Sequence, residues 1–146
     1  MAEKKKFRLK VVTPRKMTLD KDVDMVILET IDGQIGVLAG HEPLTTVLGH
    51  GTLRYYEDEK IVPLALFGGF AEINQNEVIV LAEICESPEE IDKERARRAV
   101  ERARRRLEEK KAGMDEIRAK VALRKALVRL ELSGQPLTTE KTPTGQ

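Results

Sequence analysis

The side chains best able to grip a charged ligand crowd into one stretch: Arg95, Arg97, Arg98, Arg102, Arg104, Arg105 and Arg106. A guanidinium stays charged and offers a planar fork of donors that matches phosphate or carboxylate oxygens. Three kinds of chemistry suit such a run. The commonest is a solvated helix face, on which Glu94–Arg98, Glu101–Arg104 and Glu101–Arg105 form i,i+3 and i,i+4 pairs. The second is nucleic-acid binding, weakened by the interleaved acids and by the lack of any aromatic beyond Phe70 on which a base would stack. The third is a phosphate site between two helices, with a few arginines drawn from each. Spacing alone leaves all three open.

Other chemistry is thin. No G-x-x-x-x-G-K-[ST] loop or G-x-G-x-x-G turn is present, and Gly33, Gly36 and Gly40 punctuate strands without opening a helix. His41 and His50 sit in loops with no second histidine or cysteine at metal-ligand spacing. The serines, Ser87 and Ser133, fall at helix boundaries, and a lone Cys85 at a strand end reads as packed rather than nucleophilic. The residues do not suggest an enzyme, and they call for no metal.

The elements that position the arginines read as a helical hairpin over residues 88–132. Ser87-Pro88-Glu89-Glu90 carries an N-cap serine, a proline at the first helical position and a glutamate at N3. A helix starting there and ending at Ala112-Gly113 would run about 35 Å. Ala96, Val100, Ala103 and Leu107 form its narrow apolar stripe. A second helix is predicted from Asp115, with Ala119, Ala122 and Ala126 allowing close approach and Ile117, Val121, Leu123, Leu127, Val128 and Leu130 spread over more than one face. Ser133-Gly134-Gln135-Pro136 stops it, and residues 133–146 read as a disordered tail. An Ala-rich seam buries little area, so the pair needs a sheet, a ligand or a partner to hold it. Permanent docking and reversible opening carry equal weight on the pattern.

Residues 1–87 read differently. Short apolar runs separated by Asp32-Gly33, Gly40, Gly49-His50-Gly51, Gly68-Gly69 and Asn74-Gln75-Asn76 recur at the spacing of an antiparallel sandwich or flattened barrel. Strands do not alternate with helices, which argues against a doubly wound sheet. Charge divides at the same point. Residues 1–87 hold 10 Lys/Arg against 14 Asp/Glu and residues 88–132 hold 15 against 10, within a chain of net charge +1. One cysteine fits a reducing compartment. The basic Met1–Lys10 segment is not followed by the apolar run of a secretory signal, and no stretch is long and apolar enough to span a bilayer. A soluble, cytosolic protein is expected, reaching a membrane only through a partner.

These features resemble the ε subunit of bacterial F-type ATP synthases. The resemblance rests on Val11-Val12-Thr13-Pro14, on Gly33-x-x-Gly36-Val37-Leu38-x-Gly40-His41-x-Pro43-Leu44 and on Gly68-Gly69-Phe70-Ala71-Glu72, followed by a hairpin, and covers about residues 7–132. It implies a ten-stranded antiparallel β-sandwich, a flattened barrel, followed by a two-helix antiparallel hairpin. It implies a non-catalytic rotor subunit that binds γ and the c-ring, through Gly33, Gln34, Gly40, His41 and Pro43, on the cytoplasmic side of a bacterial cell membrane. The hairpin would fold beside the sandwich or extend into the α/β head and block ATP hydrolysis. Ile91-Asp92-Lys93-Glu94-Arg95-Ala96 matches a motif by which some members bind ATP as a regulatory ligand. Glu86, Lys125 and Arg129 match further positions of that site, and the first of the two basic ones is usually arginine. The resemblance thus implies that Arg95, Lys125 and Arg129 meet phosphates while Glu86, Ile91, Asp92 and Ala96 hold base and ribose. The alternative reading is a β domain with an Arg-rich hairpin that binds RNA or another polyanion.

Overall fold

A computed structural model of the chain describes residues 5–109 and 115–134. The chain runs through eight strands: β1 (Phe7–Val12), β2 (Met17–Val23), β3 (Met25–Thr30), β4 (Gly33–Val37), β5 (Leu44–Val47), β6 (His50–Glu57), β7 (Lys60–Ile73) and β8 (Glu77–Glu86). A 3-10 turn, Pro88–Glu90, then leads to α1 (Lys93–Glu109) and α2 (Glu116–Leu132).

The sandwich and the hairpin are present, but the ten-stranded flattened barrel is not. Eight strands make one open sheet in the order β2-β1-β8-β7-β6-β3-β4, with β5 paired to β7 off that path. The discrepancy lies in β7 and β8, each long enough to run through both layers. β7 reads as two strands divided at Gly68-Gly69 but is one 14-residue strand. Its first part pairs with β6 and the end of β8, while its last part pairs with β5 and the first half of β8. β5 and β6 lie end to end along one edge of β7, and the Leu48 N–H donates to the Gly69 carbonyl at 2.9 Å where they meet. One bent ribbon therefore supplies strands to both faces, and β1, running parallel to β8, extends one of them.

The period of two along a strand sends one face of each inward. Leu9, Val11, Val23, Val26, Leu28, Val37, Leu53, Val78 and Val80 have no exposed surface at all and fill the space between the layers.

A smaller cluster lies on the other side of β7. Ala65 and Phe67 meet Val128 and Leu132 of α2, with Ile84 and Ile91 packed at the edge. This explains the spread of apolar residues on the second helix. Ala119 and Ala126 are buried but Ala122, the third alanine of the expected seam, is exposed, while Val128 and Leu132 serve the sheet. Ile117 serves neither and is 76% exposed. On α1 the expected stripe is present, with Ala96, Val100 and Ala103 buried. The hairpin is docked in this structure, and α2 is the helix that touches the sheet.

The helix expected from Pro88 starts later. The Glu90 carboxylate accepts from both the Ser87 N–H (2.9 Å) and its hydroxyl (3.0 Å), but the turn closes after Glu90 and Ile91 is extended. Asp92 then caps α1, its carboxylate accepting from the Arg95 N–H at 3.0 Å. The break lets Ile91 turn onto the Ala65–Phe67 cluster. Over the described residues α1 is 17 residues, or about 25 Å, and it begins five residues later than expected. Asp115 caps α2 as expected, accepting from the Arg118 N–H at 3.0 Å. The Gly113 helix stop and the tail from Gln135 lie outside the described residues.

Candidate functional site

Where β8 ends, the 3-10 turn, the first turns of α1 and the last turns of α2 enclose a cleft of about 320 Å³. Glu86, Ile91, Asp92, Arg95, Ala96 and Arg129 line it, which brings together six of the seven residues singled out for ATP. The volume is at the lower end of small-molecule sites.

Its electrostatics are divided. Arg129 forms a bidentate pair with Glu86, Nε to Oε1 at 2.8 Å and Nη2 to Oε2 at 3.2 Å, and its guanidinium lies 4.8 Å from the centre of the Phe67 ring. Glu90 is committed to Ser87, whose backbone N–H holds the Glu90 carboxyl below its usual range, and Asp92 is committed to its cap. Arg95 has no ion pair among the described residues. A cleft with a free guanidinium, a second held in a fixed orientation and a small apolar wall at Ile91 and Ala96 can receive a phosphorylated ligand with a flat, weakly polar body.

Three residues join the lining that the motif did not single out: Glu90, Ala99 and Arg102. Helical spacing was the available signal, since Ala99 lies three residues after Ala96 and Arg102 two turns after Arg95. Lys125 is placed elsewhere. It is not part of the cleft lining, and its ammonium sits 6.0 Å from the centre of the Phe67 ring.

Residues 6–88 match the family described as ATP synthase, Delta/Epsilon chain, beta-sandwich domain, and residues 89–134 match its long alpha-helix domain. The chain belongs to the ATP synthase delta/epsilon family. It is 40% identical over 126 residues to the ATP synthase epsilon chain of Caldicellulosiruptor saccharolyticus, covering 86% of this chain and 92% of that one. It is 39% identical over 127 residues to the epsilon chain of Herpetosiphon aurantiacus, covering 87% and 93%. A chain in the cryo-EM structure of the Euglena gracilis mitochondrial ATP synthase (OSCP/F1/c-ring, rotational state 1) shares the fold at a TM-score of 0.75. Its identity is 27%, over 86% of this chain and 79% of that one.

The other residues singled out from the delta/epsilon resemblance fall into two patches. Gly33 (φ +119°) and Gln34 follow the β3–β4 turn, beside Glu29, Gly49, His50 and Arg124. Gly40, His41 and Pro43 lie beyond the other end of β4, where the Gly40 N–H donates to the Gln75 carbonyl at 2.8 Å and the His41 Nδ1 lies 2.6 Å from the Glu42 carbonyl. The four steps of β4 from Gly33 to Val37 alone cover about 13 Å, so the two patches do not meet. Apolar residues left exposed nearby are Ile31, Leu38, Leu44, Val47 and Phe70, with Val47 and Phe70 directly paired across β5 and β7. Cys85 is unsuited to chemistry: burial, and after it the Glu90 and Glu86 carboxylates, push its thiol up to about 12. No helix among the described residues is long and apolar enough to cross a membrane.

Proposed function

We propose that this chain is the non-catalytic epsilon subunit of an F-type ATP synthase central stalk, and that its hairpin senses ATP and restrains ATP hydrolysis. One observation carries the sensing clause: six separate residues of the expected nucleotide site line a single cleft between the turn, α1 and α2. Arg95 and Arg129 meet the phosphates, with Arg129 exchanging part of its pairing with Glu86 for a phosphate. Ile91 and Ala96 face the base, and Glu86 and Asp92 face the ribose. Lys125 reaches the phosphates only after leaving the Phe67 ring. ATP is a regulatory ligand here, not a substrate.

The cleft needs both helices folded, so ATP binds only the docked hairpin. At a concentration 100 times Kd it stabilises that form by about 2.7 kcal/mol. Without ATP the docked form loses this support and the hairpin extends toward the α/β head. The sandwich faces γ and the c-ring through the two patches around Gln34 and His41 and the exposed apolar residues between them. The subunit lies on the cytoplasmic side of a bacterial cell membrane, bound only through its complex.

Calorimetric titration of ATP into the full chain tests the sensing clause. Saturable binding below millimolar ATP is expected, and its absence at millimolar ATP removes the clause. The inhibitory clause has its own test. Ending the chain after Ser87 in the assembled complex is expected to raise ATP hydrolysis, and an unchanged rate would leave the hairpin a purely structural element.

A further inference from the structure

Away from the nucleotide cleft, α2 is tied to the sandwich at a second point. The Arg124 Nε–H donates to the His50 backbone carbonyl at 3.0 Å, and its Nη2 lies 3.3 Å from Glu29 Oε1. Gly51 makes this reach possible, because a Cβ there would sit 2.7 Å from the Glu29 Cγ, which crosses β6 at that point. The His50 ring lies on the same side, opposite Phe67 in the β6–β7 register, with ring centres 6.1 Å apart at an interplanar angle of 51°. Its Nδ1 is buried with no hydrogen-bond partner among the described residues. An imidazolium would need a partner for that nitrogen; a neutral ring can leave it as an unused acceptor.

The charges facing the ring come from three elements. Lys125 and Arg124 face it from α2, Glu83 from β8, and Glu29 from β3 is engaged with Arg124. Glu83 is the carboxylate that favours a proton on His50, and two cations and burial oppose it.

We propose that His50 and Arg124 form an acid-released latch between the sandwich and α2. A proton taken up by His50 places a third positive charge beside Arg124 and Lys125, and α2 leaves the sheet. Undocking removes both α2 cations and opens the ring to water, so the undocked form binds the proton more readily. Burial first, then Lys125, hold the docked imidazole below its ordinary range. With the docked value depressed, docking is unaffected above the ordinary histidine range near pH 6.5 and weakens as pH falls below it. The loss levels off once the docked ring also titrates. The latch uses no residue that lines the nucleotide cleft, and it shares with the proposed phosphate contacts only Lys125. Only its consequence, release of the inhibitory form in acid, rests on the function proposed above.

Hydrogen exchange of the full chain without nucleotide, corrected for the intrinsic pH dependence of amide exchange, tests the latch without reference to ATP or hydrolysis. Protection of α2 amides relative to β1 amides is expected to fall between pH 7.5 and pH 5.5, by up to about ten-fold. His50→Gln, which keeps a polar planar group but does not titrate here, is expected to keep its protection unchanged. His41→Gln is expected to behave as the natural chain. The proposal is overturned if the natural chain shows no fall, or if His50→Gln shows the same fall. Should His50→Gln not fold, NMR titration of the His50 imidazole of the natural chain decides: a midpoint below the ordinary histidine value near 6.5 is expected, and a midpoint at or above it overturns the latch.

Discussion

Replacing Gly69 with alanine is expected to destabilise the sandwich by more than about 3 kcal/mol. Gly69 has φ +107°, and a Cβ built on it would lie 1.9 Å from the Leu81 carbonyl oxygen and 2.9 Å from the Ala82 Cα. Both obstacles are backbone of β8, paired to β7 at this point, so neither moves without opening the ladder. The carbonyl of Gly69 itself accepts from the Leu48 N–H at 2.9 Å, so a shift of Gly69 would displace the end of β5 as well. Gly40→Ala is the matched control. It also has positive φ, at +85°, but nothing lies within 4 Å of the added methyl. It should cost only the backbone strain, about 1 kcal/mol. Urea unfolding of both variants measures the difference. A Gly69→Ala protein within about 1 kcal/mol of the natural one would mean that the two-layer bend does not depend on that glycine.

The same bend marks the limit of what the sequence made legible. Apolar runs and the turn residues between them are local signals, so the strands could be read from them. Gly68-Gly69 looks identical in sequence whether it ends one strand and starts another or bends a single strand between layers. Only the pairing of β7 with β5, β6 and β8 separates these, and that pairing is non-local. The start of α1 was misread for a related reason. The Ser87–Glu90 signature is real and forms its hydrogen bonds, but Asp92 supplies a second cap two residues beyond Glu90. Burial of Ile91 against the sheet, a tertiary contact, favours the second cap. The cleft followed the quoted motif closely because most of its residues lie on one turn and one helix face. Lys125, one turn before Arg129 on α2, lies near the same Phe67 ring but outside the cleft lining, and no periodicity on α2 could reveal that aromatic on another element.

Arg129→Ala is expected to lower ATP affinity by about 100-fold and also to loosen α2 when no ATP is present. The two effects have different sources. A charge-assisted, bidentate contact to a phosphate is worth roughly 2–3 kcal/mol, which sets the loss of affinity. Docking suffers because the same guanidinium joins Glu86 at the end of β8 to the face of Phe67 on β7, tying α2 to both strands. Both partners of the ion pair are about 70% covered, so its loss together with the ring contact should cost about 1–2 kcal/mol of docking. Arg129→Lys divides the effects: it keeps the charge and loses the fork, so ATP affinity should fall less than in the alanine variant. Glu86→Gln completes the comparison. If the docking contribution resides in the pair, adding Arg129→Ala to Glu86→Gln should cost less than Arg129→Ala alone, by about 1 kcal/mol. Titration calorimetry reads the affinities, and hydrogen exchange of α2 reads docking. An Arg129→Ala protein that binds ATP within about three-fold of the natural chain would mean that the fork serves Glu86 and Phe67 alone. The cleft would then be a docking joint rather than a phosphate site.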